Sequence, residues 1–155
     1  MSGPVRTAVR IALVLLALVG FLISFYLTLT HYRNAVPPCY VTTGCETVVT
    51  SRYAVILGVP LSLIGTLFFA LMFYLGIALV TSPTRRVLRA YDLVAFAGIL
   101  AAVALFLLQA VVLKAYCSYC LATEAIALLL WAGSLVAGSA GDDGPDAGGE
   151  GRRRP

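Results

Sequence analysis

Four cysteines in a chain of 155 residues fall into two close pairs, Cys39 with Cys45 and Cys117 with Cys120. Thiols so spaced can carry disulfide exchange, in which a thiolate attacks a disulfide sulfur and a second thiolate leaves. Cys117 and Cys120 form a Cys-x-x-Cys, a spacing used by thiol–disulfide oxidoreductases, and at a helix start the dipole favours their thiolate forms. The same spacing makes a poor staple, because it closes almost no chain entropy. Cys39 and Cys45 enclose a five-residue loop that closes easily. Four cysteines allow three connectivities, and the sequence leaves all of them open. Two inert readings stand beside the redox one. Fixed disulfides could staple a loop, or four thiolates could hold a structural zinc; an oxidising, membrane-edge setting and the lack of a second Cys-x-x-Cys disfavour the zinc.

The elements that must position these thiols are membrane spans. The chain is 61% hydrophobic and 12% charged, with a mean hydropathy of +0.96, which excludes an ordinary soluble domain. Four stretches approach or exceed the roughly 18 to 20 apolar residues that cross a hydrocarbon core: about Ile11 to Leu29, Val59 to Val80, Leu93 to Leu113 and Leu121 to Ala137. The first is too long for a signal-peptide core and is followed by no small-x-small cleavage site, so it is read as a retained span. The fold class expected is an all-α integral membrane bundle of four transmembrane helices, with an extracytoplasmic loop or lid between the first two. Residues 1–10 form the N-terminal segment, 11–137 the membrane domain with its loop at about 31–58, and 138–155 a disordered tail rich in Gly, Asp and Arg.

Orientation follows from the basic residues near the span ends. Arg6, Arg10, Arg85, Arg86, Arg89, Arg152, Arg153 and Arg154 fall on one side; Arg33, Arg52 and Lys114 fall on the other. Both termini are therefore expected in the cytoplasm and all four cysteines outside it, on the side where disulfides persist. The net charge of +4 is spread over span flanks and a terminal Arg run, so it gives topology and no nucleic-acid footprint. In the loop, Pro37-Pro38 stiffens the start, Thr42-Thr43-Gly44 supplies turn residues, and Gly58-Val59-Pro60 resets the chain. Val48, Val49 and Tyr53 to Leu57 are apolar enough to rest on the membrane surface.

Several polar residues bear on a site. Glu124 lies four residues after Cys120, on the same helix face and roughly 6 Å deeper, and carboxylates within spans are rare and usually functional. Its alternatives are protonating or hydrogen-bonding a bound acceptor and reaching back to Lys114 or the interface. Ser51 reads either as a site hydroxyl or as a capping or turn residue. Gln109 is expected to bond helix to helix, His31 to sit at the interface, and Tyr32, Tyr116 and Tyr119 to anchor in the aromatic belt. Phe68, Phe69 and Phe106 read mostly as packing.

Taken together, the order of a first span, Cys39-x5-Cys45, Ser51 six residues on, Gly58-x-Pro60 opening the second span and Cys117-x-x-Cys120 opening the fourth resembles the vitamin K epoxide reductase family, particularly its bacterial members. The resemblance covers about residues 10 to 137. It implies a four-helix bundle around a quinone of the ubiquinone or menaquinone class, with no metal. It further implies that the protein reoxidises a DsbA-like, thioredoxin-like extracytoplasmic thiol oxidase and passes two electrons to the quinone, in a bacterial plasma membrane. On that reading Cys39 and Cys45 are the shuttle disulfide, reduced Cys39 attacks Cys117, and Cys120 is released as the thiolate facing the quinone. Ser51 takes the place of a Ser or Thr near the quinone. Glu124 stands where animal relatives have a quinone-contacting Tyr, and Leu61 where they have a quinone-binding Asn, which argues against vitamin K epoxide as substrate more than against quinone. No fused thioredoxin-like domain follows, so the electron donor is expected to be a separate protein docking on the 31–58 loop.

Two other readings are weighed against this one. A DsbB-type membrane oxidase shares the chemistry, but its Cys-x-x-Cys lies in the first outer loop, the reverse of this chain. A non-enzymatic tetraspan scaffold or carrier would keep its cysteines in fixed disulfides.

Overall fold

The computed structural model describes residues 3–39 and 42–138; the tail expected beyond them lies outside the described residues. Among the described residues four helices are long and apolar enough to cross a membrane: Pro4–Tyr32, Leu61–Thr81, Arg85–Leu113 and Ser118–Ala137. In the numbering used below, α1 is Gly3–Tyr32, α2 the short Cys45–Val49, α3 Leu61–Thr81, α4 Arg85–Leu107 and α5 Ser118–Gly138. The expected all-α bundle of four spans is therefore what forms. Residues 3–10 continue the first helix, because nothing between Pro4 and Ile11 stops it.

Local sequence sets the ends. Asn34 takes a left-handed φ of 52°, and the Ala35 N–H reaches back to the Thr30 carbonyl at 3.0 Å, the pattern by which a left-handed residue closes a helix. At the far end of the bundle, Thr84 caps α4 by accepting the Val87 N–H at 3.3 Å, so that a three-residue turn joins it to α3. Between α2 and α3 the chain makes a one-turn 3-10 segment, Arg52–Ala54, and a minimal antiparallel hairpin pairing Val55 with Pro60 and Ile56 with Val59. Leu57 and Gly58 at its tip have φ of 52° and 83°, the double left-handed turn that suits a two-residue hairpin. The expected lid is therefore a short helix, a turn and a hairpin in series.

In packing, α1 lies mainly against α3 and α5, and α4 mainly against α5. The buried core at the end far from the cysteines contains Leu13, Ala17, Met72, Leu79, Tyr91, Ala95 and Leu130. Leu15, Leu22, Leu67, Leu93 and Leu100 point outward, as the lipid-facing side of a bundle does. A buried bond between the Thr28 and Thr66 hydroxyls, 3.1 Å, ties α1 to α3 near the cysteine end. The contact between α3 and α4 is thinner, and a cavity opens there.

Candidate functional site

Cys117 is the residue that starts α5. Its carbonyl accepts the Leu121 N–H at 2.9 Å, the first bond of the helix. Its sulfur accepts the Cys120 N–H at 3.4 Å, so the Cys117 side chain occupies the place of a capping oxygen. Cys120 then lies one turn along the same helix. Both are free thiols, Cys117 buried and Cys120 half-buried. The hydrogen bond from Cys120, aided by backbone N–H groups of Cys120 and Tyr119 and opposed by burial, holds the Cys117 thiol down at about 7. The helix start thus favours a thiolate at the first cysteine of the pair.

The chain leading into Cys117 is irregular for a reason. After α4 the helix widens to a π form over Leu108–Leu113 and ends at Lys114 with a left-handed φ of 48°. The wider turn points Gln109 inward, where it is 2% exposed. Its Oε1 accepts the Cys117 N–H at 2.9 Å and its Nε2 donates to Glu124 Oε1 at 2.6 Å. The expected helix-to-helix bond of Gln109 is present, and it also holds the backbone of the first thiol. Glu124 turns to Gln109 with one oxygen, while Oε2 is buried with no hydrogen-bond partner among the described residues.

The second pair is a disulfide, Cys39–Cys45, with Cα atoms 5.8 Å apart. Cys39 is half-buried, whereas Cys45, the first residue of α2, is 1% exposed. Three contacts seat this loop on the Cys-x-x-Cys segment. The Tyr119 hydroxyl donates to the Pro38 carbonyl at 3.0 Å. Thr42 meets Ser118 through its amide at 3.1 Å and its hydroxyl at 2.9 Å. Gly44 lies so close to Tyr116 that a Cβ there would stand 2.7 Å from the Tyr116 nitrogen and 2.8 Å from its oxygen. Only a glycine lets the two backbones approach this closely.

A cavity of about 740 Å³ lies beneath the loop, lined by α1, α3, α4, α5 and residues 48–51 and 53–55. Its polar lining includes Cys120, Glu124, Gln109, Ser51, Ser24 and Ser62, and most of the rest is apolar, Phe68 and Phe69 among it. Cavities of this size and make-up accept drug-sized or cofactor-sized apolar molecules. Leu61 and His31 also line it, His31 from the outer end of α1. Phe106 instead packs on Tyr116, ring centroids 6.4 Å apart. The Ser51 hydroxyl donates to the Val48 carbonyl at 2.8 Å and lines the cavity from that tethered position. Among the described residues no group of three or more His, Cys, Asp or Glu is placed to hold a metal.

Sequence reasoning missed two residues here. Thr42 reads as no more than a turn residue and Ser118 carries no signal of its own, yet they pair with each other. The available signal was that Thr42 lies three residues from each loop cysteine, on the turn that must bring them together.

These features define a multi-pass membrane protein in which a loop disulfide is seated on two free thiols at the mouth of an apolar cavity. Residues 11–135 match the model of the vitamin K epoxide reductase family. The chain belongs to that family, a family of oxidoreductases that are in general quinone-linked and generally work with a thioredoxin-like partner. Among curated proteins none matches the chain significantly.

Proposed function

We propose that the protein is a quinone-dependent thiol–disulfide oxidoreductase that reoxidises an extracytoplasmic thioredoxin-like thiol oxidase and so supports disulfide formation. The observation that carries this reading is the seating of a half-exposed disulfide on a free thiol pair, one of whose sulfurs lines the cavity. Fixed staples would leave no reason for two free thiols beside an apolar pocket. The four spans, the positive flanks and the cysteines at the opposite end support cytoplasmic termini and thiols on the outer face, with 11–137 as the membrane domain. Leu57, 98% exposed at the hairpin tip, supports a lid that rests on the bilayer surface.

Burial supports an order of sulfurs opposite to the one the resemblance implies. The partner's thiolate attacks the half-buried Cys39 and the Cys39–Cys45 bond breaks, releasing Cys45 as a thiolate. The partner's second thiol then closes its own disulfide and frees Cys39. Cys45, the buried member of the loop pair, attacks Cys117 of an oxidised Cys117–Cys120 pair, and Cys120 leaves. Cys39 attacks Cys45, re-forming the shuttle and releasing Cys117. Its lowered pKa makes Cys117 a good leaving group, and the state reached is the one seen here.

The quinone supplies an acceptor for two electrons and two protons. Cys120, in the cavity wall, gives up the electron pair as Cys117 bonds to it. One proton comes from the thiol pair, and Glu124, with its unpartnered oxygen, supplies the other and becomes a carboxylate. Ser51, tethered to the Val48 carbonyl of its own loop, lines the pocket where its hydroxyl faces a bound quinone or steadies the loop. Gln109 fixes Glu124 relative to Cys117.

The test is reconstitution of the full chain in lipid nanodiscs with a reduced thioredoxin-fold protein and ubiquinone or menaquinone. Hydroquinone should form in step with partner disulfide and stop in Cys120→Ser. A partner oxidised equally well without quinone would refute the reading.

A further inference from the structure

The contact between Thr42 and Ser118 has a direction that chemistry dictates. Thr42 Oγ1 lies 3.4 Å from Cys39 Sγ, 3.9 Å from Cys45 Sγ and 2.9 Å from Ser118 Oγ. Disulfide sulfurs carry no hydrogen, so each can only accept. The Thr42 hydroxyl hydrogen is therefore the one aimed at sulfur, and the bond between the two hydroxyls runs from Ser118 to Thr42. Ser118 in turn accepts the Thr42 amide hydrogen at 3.1 Å. A fixed chain results, from the Cys-x-x-Cys serine through Thr42 to the shuttle disulfide.

We infer that Thr42 is a catalytic residue of the shuttle step, its hydroxyl stabilising each sulfur of Cys39–Cys45 as that sulfur leaves, with Ser118 as the positioning residue that holds it there. The inference rests on the thiol-exchange reading above and adds a residue to it. When a dithiol attacks Cys39 Sγ, the disulfide breaks and its electron pair goes to Cys45 as a thiolate. When the dithiol's second thiol resolves the mixed disulfide, Cys39 leaves in the same way, and the dithiol becomes the disulfide. Thr42 stands three residues from both sulfurs and within reach of both. An O–H donated to a thiolate is charge-assisted and stronger than one donated to a neutral disulfide sulfur. The bond therefore tightens as the reaction proceeds, which is what accelerates a step. Ser118 lies between Cys117 and Cys120, so the hydroxyl is in place only while the loop is seated on the second thiol pair, where the electrons must go next.

The test uses the full chain in detergent, with dithiothreitol as the attacking dithiol and the surviving Cys39–Cys45 disulfide counted by quench, alkylation and mass spectrometry. Thr42→Val, which keeps the shape and removes the hydroxyl, should slow reduction by about 10- to 100-fold, and Thr42→Ser should restore it. Ser118→Ala should slow it severalfold with the melting temperature unchanged. A Thr42→Val rate equal to wild type, or Thr42→Ser as slow as Thr42→Val, overturns the role of the hydroxyl while leaving the exchange activity intact. If Thr42→Val loses its fold, Ser118→Ala decides, and a wild-type rate there overturns the chain of hydroxyls. A wild-type disulfide that resists dithiothreitol altogether overturns both the inference and the shuttle reading beneath it.

Discussion

The two ends of this bundle are built on different rules. Away from the cysteines, α1, α3, α4 and α5 pack through Leu13, Ala17, Met72, Leu79 and Leu130, with regular backbone and a short capped turn. At the cysteine end lie the non-glycine residues of positive φ found among the described residues, Asn34, Leu57 and Lys114, together with the π segment, the hairpin and most of the interhelical side-chain hydrogen bonds. Irregular backbone at membrane depth is tolerated where it is buried in protein or lines a cavity. Here the π segment lines the cavity through Leu108, Gln109 and Leu113 and aims Gln109 at the Cys117 amide. One end provides stability, and the other spends backbone regularity on the positioning of four sulfurs.

That contrast can be broken most severely at the thiols themselves. Cys117→Ser and Cys120→Ser should each abolish quinone-dependent turnover, measured in nanodiscs, with little change in melting temperature. Glu124→Gln keeps the bond to Gln109 but removes the proton, and should lower kcat on the order of 10²-fold while the rate of disulfide exchange with the partner is unchanged. A wild-type kcat across all pH values would remove Glu124 from the mechanism. Gly44→Ala inserts a Cβ against the Tyr116 backbone, so the loop must lift. Internal exchange, followed by rapid-quench alkylation, should slow by about tenfold for a lost near-attack geometry.

At the other end the expectation inverts. Met72, fully buried, should cost about 2 to 5 kcal/mol of stability as Met72→Ala, read by chemical denaturation in micelles, while the folded fraction keeps its turnover. The smallest effect sharpens the electrostatics. With Cys39 and Cys45 oxidised, thiolate absorbance near 240 nm should rise through about 7 as Cys117, lowered from 9.0 by the Cys120 hydrogen bond, loses its proton. Below that pH Cys117 is a neutral thiol and no nucleophile, so its attack on the Cys39–Cys45 disulfide, the reverse of the internal exchange, should slow as pH falls through the same range. An inflection near the ordinary thiol value would contradict the capping geometry.

The sequence made the regular end legible and the irregular end only in outline. Apolar runs of spanning length announce helices whatever their neighbours do, and two cysteine pairs announce exchange chemistry. Boundaries near the cysteines were harder. Residues 108–113 belong to an apolar run that reads as ordinary helix, and nothing in Leu-Gln-Ala-Val-Val-Leu signals the widening that turns Gln109 inward. Asn34 and Gly58 carry the usual marks of left-handed backbone, but Leu57 and Lys114 do not: the two-residue hairpin imposes the one, and the end of the π segment imposes the other. Glu124 stood out because charge within a span is costly; Thr42 did not, because a threonine in a turn is unremarkable until its partner across the fold is known. The order of the sulfurs depended on burial, which spacing does not reveal.

On the proposed path, electrons pass from the loop pair to Cys117 and Cys120 and then to a quinone. The most direct test is the redox state of the four cysteines in living cells, by alkylation and gel shift, with and without quinone synthesis and with Cys39→Ala and Cys45→Ala variants. Reduced thiols should accumulate when quinone is absent, and Cys39→Ala should trap a Cys45–Cys117 disulfide. Cysteines whose state is the same with and without quinone, and no cross-link in either variant, would contradict that path.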